Sequence, residues 1–175
     1  MIGNALANRI TGNHGNNTLD WRGDDDRLLG GKGNDTLTGG TGNNIFEWNL
    51  ADKGTLGNPA IDTITDFVYS SAKTDAIDLR DLLVGEASTE INVGSTPNIG
   101  NLLSYIDINI SGANTELRIS STGMFTGATG TYAAGLEDQR IVFTGVNLYK
   151  ATGVAAGNET ALLQVLLKNG ALVLD

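Results

Sequence analysis

The chain has 175 residues, of which 40% are hydrophobic, so it is long and apolar enough to fold around a core. Its net charge of −9 opposes binding to nucleic acid, and the absence of cysteine excludes disulfides, thiolate zinc sites and thiol catalysis. The single histidine excludes a zinc site with three histidines. No apolar run approaches the roughly 18 residues of a membrane span, and Met1 joins directly onto a repeat rather than a signal peptide. We therefore expect an excised fragment of a longer protein, with no membrane span.

A nine-residue period runs through the first 47 residues. Read from Gly3, the successive segments are GNALANRIT, GNHGNNTLD, WRGDDDRLL, GGKGNDTLT and GGTGNNIFE. The eighth position of each segment is apolar, and the sixth is Asn or Asp. The apolar set is Ile10, Leu19, Leu28, Leu37 and Phe46, and the Asx set is Asn8, Asn17, Asp26, Asp35 and Asn44. Because an amphipathic helix would repeat its apolar residues every three or four positions, the period excludes a simple helix.

Each segment predicts a turn followed by a short strand. Its first six residues are rich in Gly, Asn and Asp, which turn easily, and the next three place one apolar side chain inward. Two segments make one coil of a flattened roll, so strands two segments apart should pair in parallel. Leu19 and Leu37 would line one inner face, and Ile10, Leu28 and Phe46 the other. The sequence thus predicts a parallel β-roll over residues 1–47, stable only when its coils stack.

The turns of this roll predict calcium sites. GGKGNDTLT at 30–38 fits the calcium-binding nonapeptide GGxGxDxUx at every fixed position. Calcium takes about six to eight oxygens, and one turn supplies about half of these, so turns one coil apart must share an ion. We expect Asn17 to pair with Asp35 on one edge, and Asp26 with Asn44, and with Asn8, on the other. The remaining predicted contributors, mainly through backbone carbonyls, are Gly12, His14, Asp24, Gly30, Gly31, Lys32, Gly33, Gly40 and Gly42.

Calcium binding should be coupled to folding of residues 3–47. Glycine-rich turns lose much entropy on ordering, and acidic side chains stacked one strand apart repel each other until a divalent ion lies between them. The third segment departs most from the pattern, with Trp21, Arg22 and Asp24 at glycine positions. We expect about two or three ions, with the Asp35 site the best formed. The alternative is a metal-free turn held by Asn and Asp side-chain hydrogen bonds.

Beyond Glu47 the nine-residue period stops and other strand patterns follow. Together they predict a β-sandwich-like domain over residues 48–175 with a short helix, and an all-β protein overall. The elements are an irregular connection at 48–60, strands at 61–67, 105–111, 116–120, 140–146 and 171–175, a strand running into a short helical turn at 76–83, a loop at 85–101, and a helix at 159–168. The strand at 116–120 is the expected partner of the strand at 105–111, across a Ser-Gly-Ala-Asn turn.

A second acidic group follows the repeats, and it comprises Asp62, Asp66, Asp75 and Asp78. A strand–loop–strand could bring some of them onto one ion that caps the roll, and Asp66 and Asp75 are the best candidates. The alternative is that they are surface or turn residues. We interpret His14 as a solvent-facing turn residue without a catalytic role, and both tryptophans as packing residues at the ends of the roll.

GGKGNDTLTGGTGNNIFEWNL, followed by DTITDF, DAIDL and LLKNGALVLD, resembles the end of an RTX protein. More narrowly, nearly the whole chain is similar to the C-terminal modules of large bacterial adhesins, including ice-binding ones, that are exported by type I secretion. The resemblance implies that a transporter complex reads the uncleaved C-terminus, roughly residues 145–175, and that the chain folds outside the cell, where calcium is abundant. It implies a secreted, extracellular or cell-surface location.

Two other interpretations remain open. One is the repeat domain of an RTX protease or lipase, although neither HExxH nor GxSxG occurs in the chain. The other is a ligand-binding domain for ice or glycan, although the repeats are too irregular for a flat ladder of Thr or Asn. With no nucleophile beside a base and no paired carboxylates in a catalytic frame, we predict that the chain is not an enzyme. We also expect it to be a monomer.

Overall fold

The computed structural model describes residues 1–70, 73–86, 96–126, 132 and 135–174, and within them the chain folds into two sheets around a shared core. One sheet has the strand order β1-β3-β5-β7-β11, and the other has the order β2-β4-β6-β10-β9-β8. The strands are β1 Arg9–Thr11, β2 Thr18–Asp20, β3 Arg27–Leu29, β4 Thr36–Thr38, β5 Ile45–Glu47, β6 Ala60–Ile64, β7 Ala76–Asp78, β8 Ile106–Ser111, β9 Asn114–Ile119, β10 Gln139–Phe143 and β11 Leu172–Val173. The helices are α1 Leu148–Thr152, α2 Glu159–Lys168 and a 3₁₀ turn at Leu102–Ser104.

The first five strands confirm the predicted roll. They fall on the three strand positions of the five segments and alternate between the two sheets. Parallel pairing joins Leu19 to Leu37 in one sheet, and Ile10 to Leu28 and Leu28 to Phe46 in the other. All of these central side chains are buried except Ile10, which is half-buried in the first strand. Each fully buried apolar side chain contributes about 1.5–3 kcal/mol, so stacking is what stabilises a coil.

Both sheets continue past residue 47 into strands that lack the glycine signature. β6 pairs with β4, which places Ile64 beside Leu37, and β7 pairs with β5, which places Ile77 beside Phe46. Ile64 and Ile77 are both fully buried, so they occupy the eighth position of two further rungs of the roll. The predicted domain boundary at residues 47 and 48 stays a prediction, and the sheets run through it.

The remaining strands extend these same two sheets. β8 and β9 form the antiparallel hairpin that the sequence predicts, and β10 joins β9 to β6. β11 pairs in parallel with β7 through Leu172 and Val173, which is shorter than the five-residue strand predicted at 171–175. The fold is therefore mostly β, with a parallel roll at one end, as predicted.

Two short helices complete the C-terminal region. α2 confirms the predicted helix, since the Asn158 side chain accepts a hydrogen bond from Ala161 N at 3.1 Å and Leu162, Leu163 and Leu166 are buried. The sequence did not predict α1, because five residues are too few to show a helical period. Neither helix in the described part of the chain has the length and apolarity needed to cross a bilayer.

Candidate calcium-binding turns

The five turns that precede β1 to β5 stack in two columns along the edges of the roll. We call the column of residues 12–17 and 30–35 edge A, and the column of residues 3–8, 21–26 and 39–44 edge B. On edge A, Asn17 N donates to Asp35 Oδ1 at 2.7 Å. On edge B, Asn8 N donates to Asp26 Oδ1 at 2.7 Å, and Asp26 N donates to Asn44 Oδ1 at 3.1 Å. The structure therefore brings together the residue pairs that the sequence predicts, and their binding of an ion stays a prediction.

These hydrogen bonds use only one oxygen of each sixth-position aspartate. The second oxygens, Asp26 Oδ2 and Asp35 Oδ2, are buried and have no hydrogen-bond partner in the described residues. Both side chains are about as buried as a core leucine, at 1% exposure. A buried carboxylate oxygen without a partner is costly, so these two atoms indicate where a cation belongs.

Glycine lets other oxygens converge on the same places. A Cβ on Gly30 would lie 2.2 Å from Asp35 Oδ2, and a Cβ on Gly12 would lie 2.1 Å from Gly30 O and 2.2 Å from Asn17 Oδ1. On edge B, a Cβ on Gly40 would lie 2.1 Å from Arg22 O. Only glycine allows this approach. The turns therefore offer carbonyl, amide and carboxylate oxygens in one cradle, which suits the hard Ca²⁺ ion.

The electrostatics of the turns also favour binding of a cation. Burial raises the pKa of the Asp26 and Asp35 carboxyls above the usual value, although each accepts a backbone hydrogen bond that opposes the shift. The negative charges of Asp24 and Asp25 raise the pKa of Asp26 further. A divalent ion between the turns would reverse these effects by stabilising the ionised carboxylates. The residues present therefore fit calcium.

The fifth position of the turn forms a second ladder, which the sequence analysis missed. Asn34 N donates to Asn16 Oδ1 at 2.9 Å on edge A, and Asn43 N donates to Asp25 Oδ1 at 2.7 Å on edge B. This ladder runs in the opposite direction, because here the earlier turn supplies the side chain. The signal was available, since the fifth residue is Asn or Asp in four of the five segments. Side-chain hydrogen bonds thus hold the fifth position, while Asp26 and Asp35 at the sixth position each keep one oxygen without a partner.

The third segment reaches the same turn shape without the usual glycines. Arg22 has φ of 71° and Asp24 has φ of 75°, at the positions where Gly40 and Gly42 have φ of 86° and 107°. A left-handed conformation costs a residue with a side chain about 1–2 kcal/mol. The Asp24 side chain is exposed, and its carbonyl oxygen lies 2.2 Å from where a Gly42 Cβ would be. Asp24 can therefore contribute through its backbone.

The other predicted contributors lie in or beside the stacked turns. Gly31 and Gly33 have φ of 93° and 110°, and a Gly31 Cβ would lie 2.5 Å from Asn13 O. Lys32 and His14 are exposed, so they would contribute their carbonyls. His14 also lines a small groove with Asn49 and Asp52. Trp21 and Trp48 are buried in the core cluster, in agreement with the predicted packing role.

The second acidic group does not form one cluster. Asp62 and Asp75 hold the sixth position of the two further rungs, on edges A and B respectively, and accept from Asp35 N at 2.8 Å and Asn44 N at 2.9 Å. Asp66 accepts from the N–H groups of Gly39 and Gly40 at 2.9 and 2.6 Å.

Asp78 is instead part of an ion pair with Arg80. Burial alone would raise the pKa of Asp78, but the hydrogen bonds and charge of Arg80 outweigh it and lower the pKa. In Asp78 the counter-charge is thus supplied by the protein itself.

Asp62 and Asp75 differ from the repeat aspartates in one respect. Both of their oxygens have protein donors. Asp62 Oδ2 accepts from Trp48 Nε1 at 2.7 Å and Gln139 Nε2 at 2.9 Å, and Asp75 Oδ2 accepts from Val68 N at 2.8 Å. Burial nevertheless raises the pKa of Asp62 to about 6. The free carboxylate oxygens thus occur in the glycine-rich repeats and not in these two later rungs.

Side-chain clusters of the usual metal-binding kind are not part of this site. Among the described residues, no three His, Cys, Asp or Glu side chains gather in a way that could hold a metal. An ion in the turns would therefore draw much of its shell from backbone carbonyls, which is why the glycine positions matter as much as the aspartates.

The stacked glycine turns with inward carboxylates define a calcium-binding repeat of the RTX type. Residues 1–20 and 22–47 match the family of the RTX calcium-binding nonapeptide repeat (4 copies). Repeats of this family bind Ca²⁺, and RTX repeat proteins are typically secreted by type I secretion. The match covers the first quarter of the chain, the same residues in which the sequence shows its period.

A solved structure shows a similar overall fold. The chain is similar to the AlgE6R2 subunit of the mannuronan C5-epimerase from Azotobacter vinelandii, with 23% identity, a TM-score of 0.52, and coverage of 90% of this chain and 86% of that one. It is also similar to the AlgE6R3 subunit of the same enzyme, with 23% identity, a TM-score of 0.46, and coverage of 89% and 78%. No curated protein matches the chain.

Proposed function

We propose that this chain is the calcium-dependent folding and type I secretion module at the C-terminus of an extracellular adhesin. The observation that carries the proposal is the pair of buried, unpartnered carboxylate oxygens of Asp26 and Asp35 at the centre of two stacks of turns. Without a cation these oxygens oppose folding, and with calcium they favour it. Whether the roll folds therefore depends on the calcium concentration of the compartment that contains the chain.

The size of this dependence follows from mass action. An ion present at about ten times its dissociation constant adds about 1.4 kcal/mol per site to the free energy of unfolding. Two or three sites that share turns would thus contribute about 3–4 kcal/mol, a large part of the about 5–15 kcal/mol of a typical domain. A cytosol with little calcium leaves this contribution unused, so the chain stays export-competent until it reaches the outside.

The apolar part of the proposed secretion signal at residues 145–175 is buried once the chain folds. Leu162, Leu163 and Leu166 of α2 are fully buried, and β11 pairs with β7 in the sheet that also contains three of the repeat strands. A transporter could read these residues only in the unfolded chain. Calcium-free export followed by calcium-driven folding would therefore present the signal inside the cell and withdraw it outside.

The test is export of a reporter fused to the N-terminus of the chain in bacteria with a cognate type I transporter. We expect the reporter to appear in the medium, and its export to require both the transporter and residues 145–175. The exported chain itself should fold only when the medium contains calcium. Reporter export that survives deletion of residues 145–175 would contradict the secretion role. The adhesin assignment is tested by retention of the parent protein at the cell surface.

A second candidate is a non-catalytic module within a secreted enzyme. The likeness in fold to a subunit of a mannuronan C5-epimerase supports it, as does the sequence-based alternative of an RTX protease or lipase. In either case we propose that the chain is not itself an enzyme. The buried aspartates of the roll support this, because Asp26 and Asp35 are each only 1% exposed and one oxygen of each accepts a backbone hydrogen bond from a stacked turn. Assay of the isolated chain on alginate, protein and ester substrates tests the proposal, and turnover of any of them would refute it.

A further inference from the structure

The space that follows the last repeat turn on edge B contains a lysine. Lys73 Nζ donates to Gly40 O at 2.8 Å and lies 3.6 Å from Asp75 Oδ1. The Asp75 side chain is 1% exposed and the Lys73 side chain 23%, so this pair is largely shielded from solvent. The ammonium therefore lies between a turn of the repeat and the rung above it.

The strand register shows that this space is equivalent to the spaces between successive turns on edge B. Gly40 is the second residue of its turn, and Asp75 holds the sixth position of the next rung, because β5 pairs Ile45 with Ala76. One coil earlier on edge B, the same two positions are held by Arg22 and Asn44, and Arg22 O closely approaches Gly40. The lysine thus lies where the stacking of turns would otherwise place the next ion.

The charge around Lys73 matches that of an ion site. Asp66 contacts the N–H groups of Gly39 and Gly40 in the same space, and its negative charge acts on Asp75 together with the positive charge of Lys73. The ammonium thus contacts one carboxylate and one carbonyl oxygen, and a second carboxylate binds the N–H groups of the same turn. A lysine ammonium is a compact point charge with three donors, so it is the side chain most similar to a metal cation. By contrast, Asp26 and Asp35 each keep an oxygen without any partner.

We propose that Lys73 serves as a tethered cation that takes the place of calcium after the last repeat turn and so ends the row of ions on edge B. The proposal rests on calcium binding in the repeat turns. The ion that the sequence predicts between Asp66 and Asp75 is, on this proposal, replaced by the chain's own ammonium group. Removing the ammonium should convert the space into a calcium site with oxygens from Gly40, Asp66 and Asp75.

The test compares Lys73→Met with wild type and two controls. Bound calcium is counted by equilibrium dialysis with metal analysis, and thermal unfolding is followed with calcium and with chelator. We expect Lys73→Met to bind one more calcium ion per chain than wild type, to unfold at a lower temperature in chelator, and to recover most of that loss in millimolar calcium. Lys73→Arg should keep the wild-type ion count. Lys150→Met removes an exposed positive charge from α1, outside the calcium-binding turns, and should also leave the count unchanged.

Other outcomes overturn the proposal. An unchanged ion count in Lys73→Met means that the lysine makes an ordinary structural hydrogen bond. Failure of this variant to fold even in calcium, while Lys73→Arg folds, means that a free ion cannot replace the tether. An equal gain in Lys150→Met means that only the net charge of the chain matters, and not the position of the ammonium. The wild-type count in the same experiment reports separately on the proposed function, which fails if wild type binds no calcium.

Discussion

Asp35→Asn separates the two roles of the Asp35 side chain, which are to accept a hydrogen bond from the neighbouring turn and to bind an ion. The amide keeps an oxygen that can accept from Asn17 N, a bond of 2.7 Å in the structure, but it removes the charge and the oxygen that is buried without a partner. In calcium the variant loses an ion ligand. In chelator it loses a buried negative charge, and a buried charge without a counter-ion costs more than the neutral amide that replaces it. The same substitution should therefore destabilise the loaded protein and stabilise the calcium-free one.

The size of the change can be estimated. Loss of one site at about ten times its dissociation constant lowers the free energy of unfolding by about 1.4 kcal/mol. For a chain of this length, that lowers the melting temperature by about 3–6 °C. Thermal unfolding followed by circular dichroism in millimolar calcium and in chelator measures both directions. The matched control is Asp81→Asn, because Asp81 is exposed in a turn outside the repeats. A drop of the same size in both conditions would refute the reasoning, since it would mean that the carboxylate acts only as part of the ladder.

Three further predictions test other parts of the fold. Arg22 has φ of 71°, a left-handed conformation that is unfavourable for a residue with a side chain, so Arg22→Gly should raise the free energy of unfolding by about 1 kcal/mol in a chemical denaturation. A variant less stable than wild type would show that Arg22 is not strained. Glu159 has its pKa raised to about 7 by burial and then by the charge of Asp107, so its contribution to stability is present below pH 4.5 and lost as the pH rises through 7. Melting of Glu159→Gln across this range should show a growing advantage over wild type, and a constant difference would exclude the effect. Asn158→Ala should lower stability by about 1 kcal/mol through loss of the α2 cap, whereas Asn158→Ser should retain most of it.

The sequence predicts the roll well, because each nine-residue repeat corresponds to one turn and one strand of the structure. A nine-residue repeat with one apolar residue fixes both the strand positions and the inward side chains, so Leu19, Leu28, Leu37 and Phe46 all lie where expected. The same arithmetic pairs the sixth-position residues on the two edges. The helix over Glu159–Lys168 was also predictable, since its cap and its leucine stripe are local signals.

What the sequence does not show is how the roll continues without its repeat. Asp62 keeps only Gly57 at the first position of its segment and Asp75 has no glycine in its segment, so little local signal places them in register with Asp35 and Asn44. That register comes from long-range strand pairing.

Asp138 illustrates the same limit. Its place outside the repeats predicts that Asp138→Ala leaves calcium-dependent folding unchanged, yet it is 1% exposed and bonds to Lys53 and Ser121. A substitution there would disturb the core.

The order of the five-stranded sheet also determines how the molecule would respond to being pulled. β1 lies at one edge of this sheet and β11 at the other. Tension applied between the two edges must cross the four gaps between neighbouring strands in series, and the weakest gap then sets the force at which the sheet opens. Ions between the turns would reinforce the first gaps, while only two residue pairs hold β7 to β11. Rupture should therefore start at the C-terminal strand, and the calcium-loaded coils should be the last to separate.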